Sequence, residues 1–469
     1  MASVKIENCG NNGEVKNSLA EGKAKITFTG PSSAFYNPVQ EFNRDMTVTV
    51  LRQFIADRKD FLDRKKGNGA EPVAKKVKLN TVNDAEGIKI LDALSASGLR
   101  ALRFSKEIEG IESIVANDFS QEAVETIKQN IIVNDVEKIV DPHYGDAVET
   151  MMEHRTLDKR FHAVDLDPYG SASIFLDSAV QSVADRGILM VTCTDMAVLC
   201  GNTPEACFMK YNSIPVRHKS CHEIALRILL RSIDSNANRY SRYIEPLISI
   251  SVDFYIRVFV RIHTGAKEAK ESVTKLSNVL ACTGCHSYQL DPLIKKTVSG
   301  SSVRFTPSTA SSGFVDGDGK CINCGHTVHQ GGPIYSAPIH NKEFVLRLLE
   351  RIKNTPDEER LGTHDRLHGI LSVISETNAP TSFIWDIARA IAKQHNVTAD
   401  RFDQNAPGKK ILSTESTQEV NFTLHPEAAS KSKLESLVRY QYNKGKNWGP
   451  KPKAKGSVNS VQAGFQISF

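Results

Sequence analysis

Residues 88–100 read IKILDALSASGLR, and this stretch sets the fold. Ile88 to Leu91 is a short apolar run. Asp92 to Gly98 is a turn of mostly small residues, and an amphipathic pattern opens at Leu99. A strand, a tight turn and a helix in that order begin a βαβ unit. Small residues in the turn let the backbone come close to a ligand, although such a turn also occurs as plain structure. Working outward, SIVAND (113–118), FHAVDLD (161–167) and GILMVTCTD (187–195) repeat the strand pattern. Helix-like segments fall at about 99–108, 121–133 and 171–185. Strands alternating with helices give a parallel sheet. A longer run, PLISISVDFYIRVFVRI (246–262), alternates polar and apolar like an edge or antiparallel strand. Residues 26–265 are therefore read as one α/β domain, with a further helix from Val39 to Phe61 whose apolar positions are Phe42, Met46, Val50, Phe54 and Ile55.

The 469 residues exceed one ordinary domain. Hydrophobic residues make up 40% and charged residues 24%, the balance of a globular protein, and no uncharged apolar run is long enough for a membrane span. The net charge of +5 is uninformative, but its distribution is not. Arg58 to Lys78 holds eight basic residues against three acidic, and Lys431 to Lys455 eight against one. Such segments attract polyanions or carry an import signal, and Pro72 to Leu79 has the look of a nuclear one. Residues 1–25 and about 63–86 are polar and read as a disordered N-terminus and a basic loop insertion. The N-terminal stretch lacks the apolar core of a secretion signal and the Arg-rich, acid-poor character of a transit peptide. Nucleus or cytoplasm is expected, with the nine cysteines as thiols or metal ligands.

Four motifs fall at strand ends. The first is the Ser95 to Gly98 turn. The second is Asn117-Asp118, where Asp118 lies twenty residues past Gly98, the spacing at which a carboxylate holds ribose hydroxyls in nucleoside-binding α/β folds. A helix N-cap is the plainer reading of Asp118. The third is Tyr144-Gly145-Asp146-Ala147, where an adenine edge would lie. The fourth, Asp165-Leu166-Asp167-Pro168-Tyr169-Gly170, is the most specific. A carboxylate, a proline carbonyl and an aromatic ring together suit the exocyclic amine of a planar base. The ring stacks on the base, and the oxygens accept the amine hydrogens and aim its lone pair. Together the four resemble a Rossmann-like class I methyltransferase that uses S-adenosylmethionine, whereas the G-x-G-x-x-G of a dehydrogenase is absent.

Beyond the charged stretch TGAKEAKES, residues 266–430 are read as a smaller α+β domain. Its Cys282-x-x-Cys285 and Cys321-x-x-Cys324 pairs predict a structural, tetrahedral Zn2+ site, with His286 and His326 as neighbours rather than ligands. Helices are expected at 341–353 and 381–395, and residues 431–469 read as a basic tail.

These motifs resemble one family, the eukaryotic and archaeal tRNA (guanine-26-N2)-dimethyltransferases, over most of residues 26–455. Phe35-Tyr36-Asn37-Pro38 with Asn43-Arg44-Asp45, the Ser-Ala-Ser-Gly-Leu-Arg turn and Asp-Pro-Tyr-Gly carry the likeness. So do Lys210-Tyr211, Cys221-His222-Glu223, Gly331-Gly332-Pro333 and Asn447-Trp448-Gly449-Pro450. The resemblance implies that Arg44, Arg100, Asp118, Asp146 and Ala147 contact S-adenosylmethionine. It implies that Asp167 is the catalytic carboxylate, and that Phe35 and Tyr169 flank a flipped guanine of tRNA. It implies two methyl transfers to one nitrogen. A monomer with no membrane association is expected. One departure stands out: Ser375-Glu376 runs almost directly into Thr377-Asn378-Ala379-Pro380, so the second domain is expected to be shortened after 376. Rival readings are an amino-methyltransferase acting on another nitrogen, and a tRNA-binding protein with reduced or lost activity.

Overall fold

The computed structural model describes residues 4–6, 16–29, 36–67, 87–300, 302–309 and 313–376. Phe35, the basic segment from 68 to 86, the helix expected at 381–395 and the tail from 431 all lie outside the described residues.

The chain opens with β1 (Val4–Ile6), β2 (Lys16–Glu21) and β3 (Ala24–Thr29), which pair antiparallel in the order β1-β2-β3. Within residues 1–25, expected as a disordered N-terminus, the described positions 4–6 and 16–25 lie in this sheet. Leu19, Ala24 and Ile26 are buried in the main core, and a fully buried aliphatic side chain contributes about 1.5–3 kcal/mol. Asn130 and Asn134 hold this hairpin, accepting from the Thr27 and Lys25 amides at 2.8 and 2.9 Å. Helix α1 (Glu41–Gly67) follows. Phe42, Met46, Val50 and Phe54 are buried along it and Ile55 packs at the margin, as the periodicity predicts. The helix continues to Gly67, past the expected start of the basic loop at 63.

The α/β layer then runs β4 (Ile88–Asp92), α2 (Leu99–Glu107), β5 (Ile111–Asp118), α3 (Gln121–Val133), β6 (Val140–Tyr144), α4 (Ala147–Glu153) and β7 (Phe161–Leu166). It continues α5 (Leu176–Ser182), β8 (Val183–Cys193), α6 (Met196–Leu199), α7 (Pro204–Tyr211), α8 (Cys221–Asn238), β9 (Arg242–Val252) and β10 (Tyr255–Thr264). The sheet order is β6-β5-β4-β7-β8-β10-β9. The first five strands are parallel, and β10 joins β8 antiparallel. The apolar run at 246–262 is thus two strands and not one. Asp253 takes a φ of 49°, a left-handed conformation that Asp tolerates in a tight hairpin turn. Helices cover both faces, so the strands read as nearly unbroken apolar runs.

After α9 (Ala266–Glu271) come β11 (Leu276–Cys282), β12 (Tyr288–Pro292), β13 (Ile294–Ser299), β14 (Ser302–Pro307), β15 (Val328–Tyr335), α10 (Lys342–Lys353) and α11 (His364–Glu376). Strands β12-β11-β15 form one small sheet and β13-β14 a separate hairpin. Helices α10 and α11 return to the first layer. Their Phe344, Leu348, Ile352 and Leu371 share the core of α1, and Arg347 grips Asp57 of α1 with two bonds of 3.0 Å. Among the described residues no helix is long and apolar enough to cross a membrane.

Candidate active site

The order β5-β4-β7 places the chain reversal between β4 and β7, and open α/β sheets bind ligands beyond the strand carboxyl ends at such a point. The loop after β4 is tightly fastened there. Ser95 donates its amide to the Asn117 carbonyl at 2.8 Å. The Asn117 side-chain amide donates to the carbonyls of Ala93 and Gly145 at 3.0 and 3.1 Å, tying the loops after β4 and β6 together. Ala96 sits at a φ of 51° and Gly98 at 79°. The Ala96 conformation is one that L side chains rarely adopt, and it is held by a 2.9 Å bond from its amide to Asp118 Oδ2. Asp118 Oδ1 accepts from Ser120 N at 2.9 Å. Ser120, not Asp118, caps α3, whereas Asp146 is the cap of α4, accepting from Val148 and Glu149 at 2.7 and 3.2 Å. Ala147 is buried at the start of α4. Beside Asp118, the Phe119 ring is exposed.

A buried ionic cluster occupies the floor. Asp165 has no exposed side-chain surface and accepts from Arg257 of β10 at 2.9 and 3.0 Å. Arg100 of α2 reaches Asp165 at 3.3 Å and also pairs directly with Asp167. Arg257 further bonds Thr47 of α1 at 2.9 Å and Thr192 of β8. Burial pushes the Asp167 carboxyl up, but Arg100, Arg257 and a bond from Thr192 more than offset it, so its pKa is lowered and it is ionised at neutral pH. Asp92 goes the other way. Burial raises it most, Asp165 and Asp167 add to that, and Arg100 and the 2.6 Å bond from Ser95 oppose, leaving it at about 7.

Tyr169 follows Asp167 and Pro168, and 94% of it is exposed. Its loop is nonetheless fixed. Gly170 donates to Thr194 Oγ1 and Thr194 N to the Gly170 carbonyl, both at 2.8 Å. Ser171 Oγ lies 2.7 Å from Tyr211 OH, which bonds Asp195 at 2.9 Å. A free ring on a held backbone is what stacking on an incoming base requires. Arg44 stands apart from the Asp167 cluster. Its guanidinium is paired with Glu21 of the N-terminal hairpin, donates to the Asn37 carbonyl at 3.2 Å and lies 5.4 Å from the Tyr36 ring centre.

The four sequence-predicted cysteines converge. The Sγ atoms of Cys282, Cys285, Cys321 and Cys324 all lie within 4.8 Å of one another, with Cys282 3.3 Å from Cys324 and Cys285 3.8 Å from Cys321. Four thiolates about a tetrahedral ion with bonds of about 2.3 Å stand about 3.8 Å apart, so the set can hold a metal ion. A Cβ on Gly284 would meet the His326 ring at 2.3 Å, so this turn admits only glycine.

Several site residues carried no assignment in the sequence. Asp92 and Asp165 lie inside the quoted motifs but were given no role. Arg257 was signalled only as one of three charges inside a largely apolar run. Thr47, which faces Arg100 at 3.4 Å, carried no signal, and Asn43, at the same distance, appeared only within the Asn43-Arg44-Asp45 signature.

Comparison with known proteins gives a consistent picture. Residues 13–411 match the family model described as N2,N2-dimethylguanosine tRNA methyltransferase. A Caenorhabditis elegans protein named tRNA (guanine(26)-N(2))-dimethyltransferase is 54% identical over 502 aligned residues, covering 96% of this chain and 95% of its own. A human protein of the same name is 36% identical over 517, covering 93% of this chain and 77% of its own. Among solved structures, the complex of Trm1 from Pyrococcus horikoshii with S-adenosyl-L-methionine matches at a TM-score of 0.59 and 28% identity, over 78% of this chain and 84% of that one.

Proposed function

The chain belongs to the N2,N2-dimethylguanosine tRNA methyltransferase family, and on that premise we propose how its site dimethylates the exocyclic N2 amine of guanosine 26 in tRNA. The observation that carries the reading is Asp167, held ionised by Arg100 and Arg257 beside the exposed Tyr169 ring.

S-adenosylmethionine, when bound, supplies an electrophilic methyl group on a sulfonium. The residues present fit it. The backbone of the loop after β4 is bare of large side chains, and Asp118 keeps lone pairs for sugar hydroxyls beyond the two amides it already accepts. Phe119 and Tyr144, both exposed, offer aromatic faces to a planar base. Asp165 and Asp167 balance Arg100 and Arg257 there, so the floor carries no excess positive charge to repel a cation. Tyr169 stacks on the guanine once it has left its own stack, with Phe35 assigned to the opposite face by family likeness alone. Asp167 and the Pro168 carbonyl accept the two amine hydrogens, which aims the nitrogen lone pair. As positive charge develops on nitrogen, Asp167 takes the proton. The pocket must also admit the monomethyl product for a second round.

The four-cysteine centre is proposed to hold structural Zn2+ that fixes the β11-β15 turns. The hairpin β13-β14 is proposed to grip the tRNA backbone. Lys295 and Thr306 are cross-strand partners, as are Thr297 and Arg304, so two cations and two hydroxyls share a largely exposed face. The aligned length with the C. elegans relative exceeds the 469 residues of this chain, which supports the reading that this chain lacks residues the relative has; their place after 376 rests on the sequence motif alone. Nuclear or cytoplasmic residence rests on the basic segment Pro72 to Leu79, while the Saccharomyces cerevisiae relative is named mitochondrial.

The test is methyl transfer from labelled S-adenosylmethionine to unmodified tRNA, with nucleoside analysis. Wild type should give dimethylguanosine, lost when guanosine 26 is replaced by adenosine. Asp167→Asn should slow transfer by about 10²- to 10⁴-fold with cofactor affinity retained. Unchanged turnover would remove Asp167 from the mechanism.

A further inference from the structure

Two more thiols and an imidazole meet away from the four-cysteine centre. Cys200 ends α6, Cys221 opens α8 and His222 follows it, and one ligand atom from each lies within 4.8 Å of the others. We propose that Cys200, Cys221 and His222 form a second metal site, taking a thiophilic divalent cation of the zinc type, with the fourth position facing solvent beside the exposed His222.

The donor set carries the proposal. Two thiolates and a neutral imidazole match borderline-soft cations and suit neither magnesium nor calcium, which require oxygen. A zinc ion needs sulfur at about 2.3 Å and nitrogen at about 2.0 Å, so its ligand atoms stand about 3.4–3.8 Å apart. The present separations, all within 4.8 Å, are within about 1.5 Å of that. The His222 ring is already oriented, with Nδ1 2.8 Å from Ser251 Oγ at the end of β9. A hydrogen bond on one ring nitrogen that fixes the other is the usual support for a ligating histidine. Two thiolates also cancel the ion's charge, so none is left over beside Arg217, which bonds the Gly201 carbonyl at 3.2 Å and Asn202 at 3.1 Å.

Such an ion would bolt the turn after α6 to the start of α8. That turn leads into α7, whose Tyr211 holds Ser171 in the Tyr169 loop. The site is therefore a brace for the substrate loop and lies outside the proton-transferring groups.

Metal content of the full chain, purified under reduction, tests the proposal by inductively coupled plasma mass spectrometry. Wild type should hold one more equivalent of metal than Cys200→Ser/Cys221→Ser. The four-cysteine centre contributes equally to both, so its own occupancy does not affect the difference. Equal metal in the two proteins would overturn the proposal. A second measurement needs no variant: iodoacetamide labelling of native wild type, read by peptide mass spectrometry. Chelator treatment should raise labelling of Cys221 at least several-fold. Labelling unaffected by the chelator, or a Cys200–Cys221 disulfide in place of metal, would count against the site and favour a redox pair.

Discussion

Replacing Asp92 by Asn should make the protein more stable, and by an amount that grows with pH. Asp92 is buried at the end of β4 with a pKa raised from 3.8 to about 7, mainly by burial and then by Asp165 and Asp167. An acid whose pKa is raised by folding costs nothing below the unfolded value, because both states are protonated. As pH rises through the window from 3.8 to about 7, the unfolded chain ionises and the fold does not. The cost then climbs by about 1.4 kcal/mol per pH unit, and it levels off above the folded value. Between pH 5 and pH 7.5 it should grow by roughly 2 kcal/mol. Asparagine keeps the shape and can still accept from Ser95 Oγ, now 2.6 Å away, but it has no charge to lose. Thermal unfolding of both proteins at the two pH values reads the effect. The variant's advantage in Tm should widen by a few degrees between pH 5 and pH 7.5. The labelled-transfer assay at pH 7.5 checks that the variant is correctly folded. An advantage that does not change with pH, or a variant less stable at pH 7.5, would refute the placement of Asp92 among like charges.

Tyr169→Ala should remove the stacking face for the base, worth about 1–3 kcal/mol, and so lower kcat/KM for tRNA by about 5- to 150-fold while cofactor affinity by calorimetry stays the same. Equal kcat/KM would place the base elsewhere. Lys295→Ala/Arg304→Ala should weaken tRNA binding at all sequences and flatten the slope of log K against log salt by about 1–2, with single-turnover rate at saturating tRNA unchanged. An unaltered salt slope would take the β13-β14 hairpin out of the interface.

What could be read from the sequence follows from how each element is buried. Strands β4, β5, β7 and β8 are covered on both faces, so each appears as an apolar run ending in a motif. The β9-β10 hairpin is covered as well, and its turn at Asp253-Phe254 was lost because neither residue interrupts the apolar pattern. The β2-β3 hairpin has the opposite difficulty. Among its described apolar side chains Leu19, Ala24 and Ile26 face inward, and its order comes also from Asn130 and Asn134, more than a hundred positions later. The ionic floor was partly legible. Asp167 announces itself through its neighbours Pro168 and Tyr169. Its partner cluster needs Arg257, ninety-two positions after Asp165, and no local pattern couples residues that far apart. Helix α8 was not read as a helix, although Glu223, Arg227 and Arg231 recur along it at a four-residue spacing.

The N-terminal hairpin gains a purpose from the charges it meets. Glu21 is wholly buried and binds two guanidiniums, Arg44 of α1 and Arg103 of α2. Burial raises its carboxyl, but the two arginines more than compensate and its pKa is lowered. Arg103 also pairs ionically with Asp45 at 2.7 Å and with Glu107 at 2.8 Å. Buried ion pairs are weak evidence of stability, because desolvation consumes most of the Coulombic gain. Positioning explains this one better. Glu21 takes Nε and one Nη2 direction of Arg44, and the Asn37 carbonyl takes another on Nη2. Among the described residues Nη1 has no hydrogen-bond partner. A guanidinium clamped on one side and open on the other has lost its rotamer freedom before a ligand arrives, so a carboxylate that binds Nη1 does not bear that ordering cost. The N-terminal hairpin, through its buried Glu21, is thus the element that holds the Arg44 guanidinium in place.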